Sequence, residues 1–418
     1  MKVFIDKMRI SESESEDEDE SKFDVTVQPP PNRALFQATS SFPVPSSPMP
    51  PPIHPAIQRC SANDSQDSLV SSSSATFDGS EDGELRKVGP WGNRPNYSDL
   101  YSIGSKLLME DVRQIVTKQF AGKIYSSLGN TYDEMSGLFF ATGQYNHKNG
   151  EPCVIALSGT ILGTPPIVFG IEMNMQTPAA IAVYEQGKSV IVICDNGLVK
   201  FTKVTGTNGS ITGFTGEWLT RFRKGHRGLA TTAGGNIVSC RAECLVIYSG
   251  TGELLFETRI DYGITIKGGR CTPCFIDVYD NRLAVSDLGA AVLSMWSIDE
   301  SDPLKPTVSL TKALDVHTQA RFGVTGKCAY IAGLRMDKNG WVLVVDAKGH
   351  TILLFNDKLE YVTNVLYVGG HLPYISAMYI EADGHLIASD RHSQNGGLCC
   401  YRLRSCRSQV NNALNNVH

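Results

Sequence analysis

From about residue 121 onward the chain consists of short apolar runs separated by Gly, Asn and Asp. Runs of that length, punctuated by turn residues, predict many short antiparallel strands. The runs also repeat. One unit reads as an apolar strand from Cys328 to Met336, a turn Asp337-Lys338-Asn339-Gly340, a Val-rich strand ending at Asp346, a polar loop, and a strand ending at Phe355. The same order recurs from Ile375 through Asp383-Gly384 and Asp390 to Tyr401, and from Cys274 through Asp280-Asn281 and Asp287 to Trp296. Two earlier copies begin at Pro178 and Gly228, the latter with Cys240 or Arg241 where the others carry Asp. A weaker first copy runs from Met135 to Leu157.

Six units therefore start near residues 135, 178, 228, 274, 328 and 375, at intervals of 43 to 54 residues. That is the length of a four-stranded propeller blade. A unit of this size cannot enclose a core alone, so copies must stack, and radial stacking removes exposed sheet edges. The sequence predicts an all-β, six-bladed β-propeller over residues 121–405, with a short tail over 406–418. The last unit shows only three strands, and the reading assigns its missing strand to Ile124 and Tyr125, which would close the ring.

Before the propeller, Leu107, Leu108, Val112, Ile115, Val116 and Phe120 recur at spacings of three and four, which predicts a short amphipathic helix over 105–120. Residues 1–104 read as a disordered, acidic, Pro/Ser-rich tail. The run Ser11 to Glu20 alternates Ser with acids and then becomes wholly acidic, prolines cluster from Pro29 to Pro55, and Ser71 to Ser74 continue the bias. Serines beside acids make the tail a candidate for phosphorylation and partner binding.

Charge sharpens this division. Residues 1–100 carry 16 acids against nine bases, and the rest of the 418-residue chain carries 27 against 29. An acidic tail thus precedes a nearly neutral body. No run approaches the roughly 20 apolar residues that cross a bilayer, so no membrane partner is expected. Met1 to Ile10 lacks the apolar core of a secretory signal. Eleven Cys without such a signal read as reduced thiols, and the expected location is cytoplasmic.

The units resemble the NHL repeat, an apolar strand followed by D-x-x-G, a strand ending in V-A-D and a strand ending in Phe. The residues that carry the resemblance are Asp337 to Gly340 with Val345, Asp346 and Phe355; Ala382 to Gly384 with Ser389 to His392; and Val285 to Asp287. Proline is mostly missing from the repeat's first position. Six-bladed NHL propellers end the tripartite-motif proteins, where they often bind single-stranded or hairpin RNA in post-transcriptional regulation. RING and B-box modules are absent, since residues 1–120 hold one cysteine, Cys60, so ligase activity is not implied.

In an NHL-type propeller the loops after each second strand and the loops between blades share one face, here the upper. The other turns share the lower. Sorted this way, the upper face receives eleven Lys and Arg against five acids, and the lower face the reverse. A basic, roughly planar face suits a polyanion. The candidate nucleic-acid-binding residues are Arg221, Phe222, Arg223, Lys224, His226, Arg227, Arg241, Lys267, Arg270, Arg321, Lys327, Lys348, His350, His371, Arg391 and His392. Phosphates need the cations, while Phe222, Tyr262, Phe322 and Tyr374 lie near the same loops as groups on which bases could stack. The recurring Asp287, Asp346 and Asp390 read as turn-capping acceptors.

Other chemistry is thinly represented. Cys271-Thr272-Pro273-Cys274 has redox or half-zinc-site spacing but no matching second pair. No nucleophile elbow, P-loop or zinc-protease motif occurs. Some six-bladed propellers are metal-dependent lactonases or lyases, but those need an acidic centre. The expectation is a non-enzymatic, monomeric RNA-binding propeller with no cofactor and no metal. The alternative is a protein-interaction scaffold that takes an acidic peptide or partner on the same face.

Overall fold

The computed structural model describes residues 94–100, 105–113, 124–145, 150–158, 166–222, 226–266, 270–316, 330–367, 375–380, 385–390 and 397–407. The acidic tail up to residue 93 and the tail after 407 lie outside the described residues. A single helical turn, Tyr97–Leu100, precedes strand β1, Ser105–Arg113. Blade 1 follows as a broken inner strand, β2 (Ile124–Tyr125) and β3 (Asn130–Asp133), then β4 (Leu138–Tyr145), β5 (Pro152–Ser158) and β6 (Ile167–Phe169). Blade 2 comprises β7 (Ala180–Tyr184), β8 (Ser189–Cys194), β9 (Gly197–Thr205) and β10 (Ile211–Arg221). Blade 3 holds β11 (His226–Thr231), β12 (Ile237–Arg241), β13 (Cys244–Tyr248) and β14 (Leu254–Arg259). Blade 4 holds β15 (Pro273–Tyr279), β16 (Arg282–Asp287), β17 (Val292–Asp299) and β18 (Thr307–Asp315). Blade 5 holds β19 (Ile331–Met336), β20 (Val342–Asp346), β21 (Thr351–Phe355) and β22 (Tyr361–Tyr367). Blade 6 takes β23 (Ile375–Ile380), β24 (His385–Asp390) and β25 (Gly397–Arg407).

The innermost strands neighbour one another in chain order, and β23 returns to β3, so the ring closes. Across that closure the Asn130 side chain donates to the Ala377 carbonyl at 3.3 Å, and the Ser376 hydroxyl donates to the Ser127 carbonyl at 2.8 Å. The inner strands approach closely. A Cβ at Gly129 would lie 2.6 Å from Ala180 Cα, and one at Gly333 would lie 2.7 Å from the Ser376 carbonyl oxygen.

The six-bladed ring stands as predicted, with two local corrections. Residues 105–113 form a strand, not the first half of a helix, and 114–120 lie outside the described residues. The strand pairs antiparallel with β25, from Ser105 opposite Arg407 to Arg113 opposite Cys400, and parallel with β22 through Leu107 to Met109. It is therefore the fourth strand of blade 6, and it joins blades 5 and 6 into one eight-stranded sheet. Helical spacing was outweighed by two unpaired edges that only a strand can satisfy. Ile124 and Tyr125, expected to close the ring, pair instead with Tyr145 and Gln144 and extend the inner edge of blade 1. The predicted start of that blade at Met135 is its first turn.

Consecutive apolar residues in the middle strands have a direct cause. Side chains alternate faces along a strand, and both faces of a blade are buried. In β20, Leu343 and Val345 pack between blades 5 and 6, whereas Val342 and Val344 pack between blades 4 and 5. Each of the six blade interfaces has one such apolar cluster.

Three buried thiols make stability sensitive to alkali. Burial pushes Cys153 and Cys274 up to about 12 and Cys194 to about 11. Below the ordinary thiol value of 9.0 both folded and unfolded chains keep the proton, so the contribution is complete. Between about 9 and 12 the unfolded chain ionises first and the contribution is lost. The free energy of unfolding in urea should fall over that window by on the order of 1 kcal/mol per thiol per pH unit. Replacing the three by Ser should flatten the fall, and an equally steep fall in that variant would refute the assignment.

Candidate functional site on the upper face

The repeated acids act as local caps. Asp287 accepts from the backbone N–H of Thr272 at 2.8 Å and of Ala290 at 2.8 Å, and Asp346 accepts from those of Tyr330 at 3.1 Å and Gly349 at 2.9 Å. Both carboxylates are buried in the turns they close. Asp337 likewise accepts from Asn339 and Trp341, each at 2.8 Å, which fixes the D-x-N-G turn around Gly340. Asp287 also accepts from the Tyr262 hydroxyl at 2.8 Å and the Cys271 thiol at 3.0 Å. Burial and that carboxylate hold the Cys271 thiol well above its usual value, the opposite of what a redox pair with Cys274 requires.

The basic run after β10 turns inward at two points. Arg221 is exposed, with its guanidinium 3.8 Å from the centre of the Trp218 ring. Phe222 is half-buried and stacks on the His226 imidazole at 3.5 Å. His226 is buried, with Nε2 2.7 Å from the Tyr248 hydroxyl. Tyr262, a second anticipated stacking ring, is buried against Asp287. Two of the four rings offered for bases are thus committed to packing. Arg223, Lys224, Lys267, Arg321, Lys327, His371, Arg391 and His392, together with the rings of Phe322 and Tyr374, lie outside the described residues.

The remaining bases stand among carboxylates. Arg227 pairs with Asp195 at 2.9 Å, and Arg241 pairs with Glu257. Arg259 and Arg270 both reach Glu243, at 2.8 and 3.0 Å, and their hydrogen bonds hold that carboxyl below the usual range. These two arginines are 78% and 83% exposed. Lys348 lies 5.2 Å over the Tyr330 ring, and His350 is exposed in the left-handed backbone region. Among the described residues of this face, Arg221, Arg227, Arg241, Arg259, Arg270 and Lys348 stand with Asp195, Glu243 and Glu257, and with exposed acids at Glu151, Glu172 and Asp261 in the same set of loops. Sequence sorting missed the Trp218 platform and the part of Glu257, because both sit inside strands rather than loops. The described residues contain no group of three or more His, Cys, Asp and Glu placed to hold a metal ion.

The fold and this face define a six-bladed β-propeller with arginines of blades 2 and 3, and of the connection into blade 4, on one side. No protein-family model matches the chain, and no curated protein matches it, so the likeness to NHL repeats is one of pattern. Solved structures similar to it include a streptogramin B lyase, at 13% identity and TM-score 0.45 over 72% of this chain and 89% of that one. A protein described as a gluconolactonase is similar at 13% identity and TM-score 0.47, over 75% and 97%. A nidogen/laminin complex chain is similar at 12% identity and TM-score 0.40, over 63% and 94%. The six-bladed ring stands on its own strand pairing.

Proposed function

We propose that the protein is a non-enzymatic binding module whose upper face takes an acidic segment of a partner protein. The carrying observation is Glu243 held between Arg259 and Arg270. Each guanidinium has five N–H donors, and one carboxylate cannot occupy two such forks. Exposed forks of this kind match further carboxylates bidentately. The inward packing of Phe222 and Tyr262 supports acidic groups over nucleobases as the ligand. Buried thiols held in the neutral form accord with a reducing compartment, and a cytoplasmic location belongs to the same proposal.

A second reading, single-stranded or hairpin RNA in post-transcriptional regulation, is favoured by Arg221 held over the Trp218 ring, a cationic platform for a base. One titration separates the two. A polyglutamate peptide and a single-stranded RNA are bound to wild type and to R259A/R270A over a range of salt. The first reading expects peptide affinity to fall about tenfold or more in the variant, as charge-assisted hydrogen bonds are lost. RNA binding whose salt slope flattens by about 0.7 per lost phosphate contact would favour the second reading. Wild type binding neither probe would remove both.

A further inference from the structure

Midway along the inner strands, blades 4 and 5 carry opposite charges. Counting back from each blade's second-strand end, equivalent inner positions hold Ala230 in blade 3, Asp277 in blade 4, Arg335 in blade 5 and Tyr379 in blade 6. Asp277 lies toward the lower end of β15, and its side chain is 3% exposed. Arg335 reaches it at 3.3 Å and is otherwise bound within the ring, donating to the Met378 carbonyl at 2.7 Å and the Asn130 carbonyl at 2.9 Å. Its attachment to three blades fixes both the arginine and the carboxylate it touches.

A second guanidinium enters from outside the repeats. Arg94 forks onto Asp277 at 2.7 and 3.1 Å and donates to the Met336 carbonyl at 2.6 Å, with the Tyr279 ring 5.4 Å from its carbon. Its side chain is only 8% exposed. Burial alone would lower its pKa, but the Asp277 carboxylate outweighs that and holds the group firmly charged. The segment that carries it belongs to no sheet. It is held by the Tyr97 N–H on the Asp337 carboxylate at 2.8 Å, by the Asn339 side chain on Asn96 at 3.1 Å, and by the Tyr97 ring among the cores of blades 5 and 6.

We propose that the lower mouth of the propeller is a guanidinium socket, built by Asp277, the Met336 carbonyl and Tyr279, which takes an arginine-bearing peptide and is filled here by the chain's own Arg94. A planar fork, a carboxylate presenting two oxygens, a carbonyl within reach of the same guanidinium and an aromatic ring beside it select arginine over lysine. The Arg94–Tyr97 strap is then a tethered competitor. Any peptide binding in trans must displace it, so apparent affinity is reduced by the fraction of time the socket stands open. This site lies on the opposite face from the arginines described above and takes ligands of opposite charge, so its failure leaves the acidic-partner reading intact.

The test uses the full chain. A labelled peptide Gly-Asn-Arg-Pro-Asn-Tyr-Ser, the strap's own sequence, is titrated into wild type and into R94A/Y97A. The variant should bind it at least about tenfold more tightly than wild type, and a peptide with Ala in place of its Arg should lose that gain. If the double variant does not fold, R94K is read in the same assay, because a lysine keeps the charge but cannot fork onto the carboxylate. Equal binding by wild type and variant, or binding indifferent to the peptide's arginine, would overturn the proposal.

Discussion

Deleting residues 105–113 should destroy the protein as a soluble monomer. The deletion removes the fourth strand of blade 6 and, at the same stroke, the parallel partner of β22 in blade 5. Two sheet edges then face solvent with unpaired N–H and C=O groups, which is a template for edge-to-edge association. The expected result on size-exclusion chromatography is aggregate or higher oligomer, with loss of cooperative unfolding. By contrast, deleting only Ile124 and Tyr125 shortens the inner edge of blade 1 and leaves the closing strand in place, so it should be far milder. A soluble, cooperatively unfolding monomer lacking 105–113 would mean that the ring closes without that strand.

Asp277→Ala should be the most damaging single substitution in the ring. It strips the carboxylate from between Arg94 and Arg335 and leaves two largely buried guanidiniums without their counter-charge. Removing one partner of a buried ion pair costs about 3–5 kcal/mol, against a total stability for most domains of about 5–15 kcal/mol. The urea midpoint should drop accordingly. Asp277→Asn, which keeps an acceptor oxygen, should lose clearly less. Equal losses for the two variants would show that the negative charge, removed in both, and not the acceptor oxygen or the side chain's shape decides this position.

Much of the architecture was legible in one dimension. The repeat spacing, the D-x-N-G turn at Asp337 and the capping parts of Asp287 and Asp346 all follow from local patterns, because strands, turns and caps are short-range objects. The weak first blade was misplaced for an equally local reason: its inner strand is broken between Tyr125 and Asn130, so no continuous apolar run announces it. On the upper face the sequence named bases but not their partners. Glu257 was not counted because it sits within a strand, yet it faces Arg241, and Phe222 was read as exposed although its ring lies on His226.

The sequence by itself determined the class of fold and the number of blades, since these depend on periodicity. Tertiary structure alone decided what closes the ring and what fills its lower mouth. Residues 105–113 satisfy helical spacing as well as they satisfy a strand, and only the free edge of β25, about three hundred residues away, selects between them. Arg94 sits at the end of a polar tail, and nothing nearby in the chain points to Asp277, 183 residues on. Both decisions rest on long-range partners whose energies appear only once loops have closed and water has been excluded, and no local pattern carries that information.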